Sequence, residues 1–447
     1  MGQQIEQLAR FVAETQWEDI PERVRNNTKR VLLDTVGVIL AGSVRPEVAA
    51  LRERLAPTAG SGATLYAKGF ASADPRTAAL LNGIAGRAIE LCEGMRLVSG
   101  QAGIQVLPGI LALGEHEDAS GRDLLAALAL GYDAAGRLGH AFTPRALAHQ
   151  NGQASLVAAA AAGARLCRMN AAEVSAAMRV ATTLVLTPSY TNAVAGATAL
   201  NVAGGMSGFV GAFAPELVRA GFIAQPDAIE EALGKLVGDG FDPSRVTEDL
   251  GSRWHITENY FRLYASCNPI HPALDALSEV LRRVKPKPED VERIDIATYR
   301  FASVMKNPDP PNFFASKYSL PHVAAVMIVK GRARHSDVND EAVNDPAVTA
   351  LRHRVHVTED ARMSAVAPRL RPARVTLTLK DGRMETYEGE SHRGDFTQPF
   401  EEHEILEKFR ELAGHVLPQD KVARVEAALQ RAEAWKSVRE LGALLRA

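Results

Sequence analysis

The sequence predicts a mainly α protein, in which a large all-helical domain carries an inserted, smaller α+β domain. Three observations lead there. Apolar residues recur at helical spacing through roughly the first 265 residues. After Cys267 the pattern turns mixed, with two-residue alternation in places, and from Phe400 the helical spacing returns. The expected division is therefore a helical part over 1–266, the α+β domain over 267–396 and a returning helical part over 397–447. A chain of 447 residues, 46% of them hydrophobic, can bury cores of that size.

The elements follow from local chemistry. Ser120 can cap a helix with Asp123 three residues on, and Leu124, Leu125 and Leu128 then share one face. The run from Leu156 to Ala164 is rich in alanine, which favours close helix contacts over a thick leucine core. The uncharged span Ala193–Ala214 reads as a tightly packed interior helix, because its content is mostly alanine and glycine and Asn201 interrupts it; Gly204 and Gly208 permit close approach. Beyond the junction, His271–Leu281 can form a helix that Lys285-Pro286-Lys287-Pro288 ends, and Val291–Tyr299 reads as a strand. The clearest strand pair is Arg374–Glu388, where Val375, Leu377 and Leu379 alternate with Thr376, Thr378 and Lys380 ahead of an Asp381-Gly382 turn. Ile405, Leu406, Phe409 and Leu412 define the returning helix.

Several function classes are disfavoured. A formal charge of −2 with well-mixed signs argues against nucleic-acid binding. Cys92, Cys167 and Cys267 are too few and too scattered for a disulfide framework or a paired-cysteine metal site, so a reduced, cytoplasmic setting is expected. Glu6, Arg10 and Glu14 break up the N-terminal apolar residues, unlike a signal peptide, and no membrane function is expected. Gly60-Ser61-Gly62 has Leu65 where a dinucleotide fingerprint needs glycine, and no Gly-Lys-Ser/Thr phosphate loop occurs. His403-Glu404 is followed by Glu407 where a zincin helix requires histidine, so a plain surface helix is expected and no metal.

The most informative stretch is Thr257–Asp275, which gathers Arg262, Cys267 and His271 at the expected domain junction, a favoured place for a small-molecule cleft. Its Phe261-Arg262-Leu263-Tyr264-Ala265-Ser266-Cys267, with His271 and Leu274-Asp275 following, resembles the Phe-Lys-x-Tyr-x-x-Cys-x-x-x-His-x-x-(Ile/Leu)-Asp pattern of the MmgE/PrpD family. That family includes 2-methylcitrate dehydratase, cis-aconitate decarboxylase and iminodisuccinate epimerase. Further matching pieces are Ile20-Pro21 through Gly37, Ser120–Leu125 with Gly131-Tyr132-Asp133, Lys317-Tyr318-Ser319-Leu320-Pro321, and Pro372–Val375 with Asp381-Gly382-Arg383. Their order and spacing extend the resemblance over nearly the whole chain.

The resemblance implies a cofactor-independent lyase or isomerase that takes an α-proton from a small carboxylic acid, a dehydratase first and an epimerase or decarboxylase next. A non-catalytic binding protein of the same descent is the alternative from another class. The partner is then a small-molecule carboxylate, and a homodimer is implied. Such chemistry needs a proton carrier and fixed cations. His149, aligned with a family histidine, is expected as base or substrate-orienting donor. Glu90 is expected as the carboxylate of a proton-transfer pair, and His271 as a second acid/base or as a fixture of the domain joint. Arg262, at a family lysine, is expected to bind substrate carboxylate, with Gln101 and Arg87 as further substrate-binding residues, and Cys267 to be a small buried residue in the substrate site rather than a nucleophile.

Departures from the family pattern cluster at Asn82–Glu93. Arg87 stands at a histidine, Glu90 and Glu93 at aspartates, and Cys92 at another aspartate; downstream, Gln101 replaces a histidine and cannot exchange protons near neutrality. A family lysine expected near Asn201 is missing, since no lysine occurs between Lys68 and Lys235. Arg87, Arg96 or Arg145 could supply its charge from another direction. With one cation and one titratable donor fewer, a tricarboxylate such as 2-methylcitrate or cis-aconitate is expected to be a poorer substrate than a smaller or less anionic acid.

Overall fold

Helix accounts for 59% of the computed structural model and strand for 11%, so the class is mainly α. Residues 2–55, 62–98 and 100–447 are described; Gly60 and Ser61 of the glycine-rich stretch lie outside them. The helices that build the site are α1 (Pro75–Arg87), α2 (Ala102–His116), α3 (Gly121–Ala141), α4 (Ala154–Leu166) and α5 (Asn201–Arg219).

Helix α3 starts as its capping chemistry dictates. The Ser120 hydroxyl accepts from the Asp123 N–H at 3.1 Å, and the Asp123 carboxylate accepts from the Ser120 N–H at 3.2 Å. Helix α4 is almost wholly buried, and its small side chains let α5 pack closely: a Cβ on Gly163 would fall 2.0 Å from the Gly211 carbonyl oxygen. Gly83 of α1 meets the Gly205 backbone in the same way, at 2.7 Å. The single helix expected over Ala193–Ala214 is instead broken. A short helix, Tyr190–Ala195, ends at Gly196 with φ +77, a 3-10 turn follows over Thr198–Leu200, and α5 begins at Asn201. Glycine adopts that left-handed backbone without steric cost, which makes it a natural stop. Among the described residues, no helix is long and apolar enough to cross a membrane.

After the junction, α6 (His271–Val284) closes on Lys285 at φ +49. Strands β1 (Val291–Thr298), β2 (Val355–Glu359), β3 (Ala373–Leu379) and β4 (Met384–Gly389) form one sheet in the order β4-β3-β1-β2. The expected hairpin pairs Thr376 with Thr386 and turns through Gly382 at φ +86. Strand β3 alternates buried with half-buried residues, as Val375, Leu377 and Leu379 require of a strand covered on one face. Strand β2, parallel to β1, is an element that the sequence reading did not anticipate. Helix α7 (Glu402–Ala413) then buries Ile405, Phe409 and Leu412 and packs on the early helix Glu22–Gly42, where Gly37 admits the Phe409 ring.

Candidate active site

A narrow cavity lies where the segment after α1, the start of α2 and the His149 loop meet the junction segment and the approach to β3. Five of the seven expected residues line it: Glu90, Gln101, His149, Arg262 and Cys267. Arg87 and His271 stand behind its wall. A wider surface groove runs past Tyr264, Asp275, Glu279, Tyr387, Arg393 and Glu404, but none of the expected residues reaches it. Converging buried polar groups make the smaller cavity the better site.

Glu90 sits three residues beyond α1 with φ +50, a left-handed conformation that is costly for a residue with a Cβ. It turns the carboxylate into a cage of donors. Arg262 Nη1 approaches Oε1 at 2.6 Å, Arg87 Nη2 approaches Oε2 at 2.8 Å, and the Tyr318 hydroxyl donates to Oε2 at 2.8 Å. Burial alone would raise the carboxyl; the two guanidiniums outweigh it and hold Glu90 well below the usual carboxylate range. Arg262 also points Nη1 at the Glu90 and Ser266 carbonyl oxygens, at 3.0 and 3.1 Å. A short antiparallel ladder, Gly94 to Tyr260 and Met95 to Asn259, ties the two segments together and sets this pairing.

His149 is held by its loop. Its N–H donates to the Pro188 carbonyl at 2.9 Å, its ring stacks on Tyr190 with centroids 5.5 Å apart, and Nδ1 accepts from the Asn151 N–H at 3.2 Å. An imidazole that accepts at Nδ1 carries its hydrogen on Nε2 when neutral. Among the described residues Nε2 has no partner, so a donor is left for the cavity. Burial first, then the Arg87 charge, lowers the imidazole to about 3.

Other lining groups are poor proton carriers near neutrality. Burial pushes the Cys267 thiol up to about 12, with Glu90 adding to it. Burial likewise raises the Tyr318 and Tyr190 hydroxyls well above their ordinary range. Gln101 is the N-cap of α2 and makes no capping bond. His271 lies outside the lining; its Nε2 faces the Ser266 carbonyl oxygen at 3.2 Å, its ring packs edge-on against Tyr264 and His392, and burial lowers it well below the ordinary histidine range.

Of the arginines considered as substitutes for the missing lysine, Arg87 is paired with Glu90 and Arg96 with Asp395 at 3.2 Å. Arg145 is exposed and faces Asp239 at 3.3 Å. Sequence reasoning missed Tyr318, Tyr190, Asn268 and Arg371, all of which line the cavity. Tyr318 and Asn268 fall inside matched motifs, so a signal was present for them. Arg371 immediately precedes the matched Pro372–Val375 segment.

Sequence comparison finds relatives along most of the chain. Cis-aconitate decarboxylase-like protein oryM of Aspergillus oryzae is 24% identical over 98% of this chain and 96% of its own length. Cis-aconitate decarboxylase of Aspergillus terreus is 24% identical over 92% of this chain and 89% of its own. The mitochondrial 2-methylcitrate dehydratase of Yarrowia lipolytica is 29% identical over a shorter stretch, 34% of this chain and 31% of its own. The names of these relatives are those of lyases, which supports a lyase-type activity here. The profile of the MmgE/PrpD N-terminal domain matches residues 6–242 and that of the MmgE/PrpD C-terminal domain residues 264–434, and the chain therefore belongs to the MmgE/PrpD family.

Proposed function

We propose that the chain is a lyase acting on a small organic acid, and that decarboxylation suits its cavity better than dehydration. The observation that carries this is the state of the two central groups. Dehydration of a hydroxy acid needs a base for the Cα hydrogen and an acid for the departing hydroxyl. Glu90, caged by Arg87, Arg262 and Tyr318, is too stabilised as an anion to be an effective base. His149 offers Nε2–H and keeps its lone pair on the Asn151 N–H.

Decarboxylation asks for less. The bond between the carboxylate carbon and its neighbour breaks, carbon dioxide leaves, and the electron pair stays on the substrate until one proton replaces the lost group. A cationic wall stabilises that electron pair, and Arg87, Glu90 and Arg262 together carry a net positive charge. A substrate carboxylate beside His149 opposes the Arg87 field that depresses the ring, so arrival of the anion favours the imidazolium, formed as Nδ1 exchanges the Asn151 N–H contact for a proton, and Nε2–H is then the proton delivered. In this reading Glu90 and Arg262 act as an electrostatic unit, and His271 positions the Ser266 carbonyl that Arg262 also meets.

The partial match to a 2-methylcitrate dehydratase supports water elimination as the second reading. Incubation of the purified protein with cis-aconitate, 2-methylcitrate and smaller unsaturated and hydroxy acids separates the two. Carbon dioxide release with one solvent deuterium in the product is expected; water loss without carbon dioxide would favour the dehydratase, and inertness toward all acids would leave a binding protein. The domain division at 266/267 and 396/397 and a homodimer belong to the same proposal. The sheet within 291–389 and the packing of α7 on Glu22–Gly42 support the former, and the family membership supports the latter. Sedimentation tests the dimer.

A further inference from the structure

Six arginines are buried among the described residues: Arg87, Arg96, Arg137, Arg262, Arg352 and Arg371. Five have a carboxylate within salt-bridge distance, namely Glu90, Asp395, Asp133, Glu90 again and Asp309. Arg371 has none among the described residues, although it is only 6% exposed. A permanent cation removed from water without a counter-charge is costly. Among the described residues, the cavity that Arg371 lines is where an anion can reach it.

The guanidinium is held rigidly for that purpose. Nη1 donates to Asn268 Oδ1 at 2.5 Å and Nη2 to the Arg96 carbonyl oxygen at 3.0 Å. The Asn268 amide is oriented in turn, because its Nδ2 lies 3.0 Å from His392 Nε2 while His392 Nδ1 faces the Arg393 carbonyl oxygen at 2.8 Å. Nδ1 carries the hydrogen in that arrangement and Nε2 accepts, which leaves Oδ1 for Arg371. Both acceptors of Arg371 are neutral, so they fix the fork without cancelling its charge. Its remaining N–H groups suit a carboxylate with two parallel hydrogen bonds. Arg371 also comes from the approach to β3, whereas Arg87, Glu90 and His149 come from the helical part of the chain.

We propose that Arg371 is the residue that anchors the substrate's non-reacting carboxylate, with the reacting carboxylate beside His149. This rests on the lyase reading above. It also supplies, from the sheet side, a cation of the kind that the missing lysine would have given.

Calorimetric titration of the full chain with malonate, succinate, glutarate and adipate, each against its half-amide, tests the anchor without requiring turnover. At least one diacid is expected to bind about tenfold or more tighter than its half-amide, the size of one lost charge-assisted contact. In Arg371→Gln that ratio should fall to near one, and in Arg371→Lys to an intermediate value. A ratio near one for every wild-type pair, or a ratio unchanged in either variant, overturns the proposal. If Arg371→Gln does not fold, the wild-type and Arg371→Lys ratios decide. Tight diacid binding without release of carbon dioxide from any acid would sink the assigned reaction and leave the anchor standing. Decarboxylation of monoacids at a rate indifferent to Arg371 would do the reverse.

Discussion

Replacing Glu90 with glutamine removes the one negative charge between Arg87 and Arg262 while preserving volume. The amide oxygen can still accept from one neighbour, but its N–H groups must then face a guanidinium, which has no acceptor to offer. Removing one partner of a buried ion pair leaves uncompensated charge and costs about 3–5 kcal/mol. The unfolding entropy at about 2.1 cal/mol/K per residue, over 447 residues, comes to roughly 0.9 kcal/mol/K. The melting temperature should therefore drop by about 3–5 °C. Turnover should fall further than stability explains. Glu90 partly offsets the Arg87 field at His149, so Glu90→Gln makes the imidazole harder to protonate and should lower kcat by about 10²–10⁴ in the fraction that remains folded. Scanning calorimetry and carbon dioxide release on the same preparation read both effects. An unchanged melting temperature with near-normal turnover would refute the idea that this triad is the electrostatic centre of the site.

His149 makes stability depend on pH. Its folded value of about 3 lies below the ordinary 6.5, so the unfolded chain binds more protons across that window, and stability is lost as pH falls from 6.5 toward 3. By pH 5 the stability lost through it is about 2 kcal/mol, or about 2 °C at the same unfolding entropy, so His149→Gln should flatten the acid limb of a melting-temperature profile by that amount while abolishing turnover; a parallel limb would show that the ring is not buried as described. Tyr318→Phe removes one of three donors from Glu90 and should cost about 1–2 kcal/mol in a urea titration. Gly204→Ala places a Cβ 2.3 Å from Arg87 Cγ, so it should lower turnover by displacing Arg87, whereas Gly240→Ala, with nothing within 4 Å, should be silent in the same assay.

What was legible in the sequence was whatever short-range chemistry decides. The Ser120/Asp123 cap, the Asp381-Gly382 hairpin and the apolar stripe Ile405, Phe409, Leu412 each depend on residues a few positions apart, and all three stand in the structure. Strand β2 has the alternation Val355, Val357 but only five residues and polar neighbours, and its partner is parallel and distant in sequence, so nothing local announces it. At the site, residue types were legible and pairings were not. Arg262 reads from sequence as a free receptor for substrate carboxylate, yet the short ladder between Gly94-Met95 and Asn259-Tyr260 brings it onto Glu90, 172 positions earlier. Arg371 escaped notice for a related reason: the search for a substitute cation stayed within the helical part of the chain, while the cavity is also walled by the segment entering the sheet.

The pairings change what the family departures mean. Gln101 removes a titratable donor from the cavity, and the lining that remains holds one group, His149, whose ordinary range lies near neutrality; the hydroxyls of Tyr190 and Tyr318 and the thiol of Cys267 are all pushed upward by burial. A site that must remove one proton and return another needs two titrating groups and shows two limbs in its pH–rate profile. A site that only delivers a proton to a carbanion needs one. With His149 depressed in the free protein and lifted by the bound anion, kcat should be constant at low pH and fall along a single limb as pH rises through the value of His149 in the complex. A second, acid-side limb in kcat would reveal a working base, and since Glu90 is the carboxylate in contact with the cavity, it would return Glu90 to the proton-transfer role and favour dehydration.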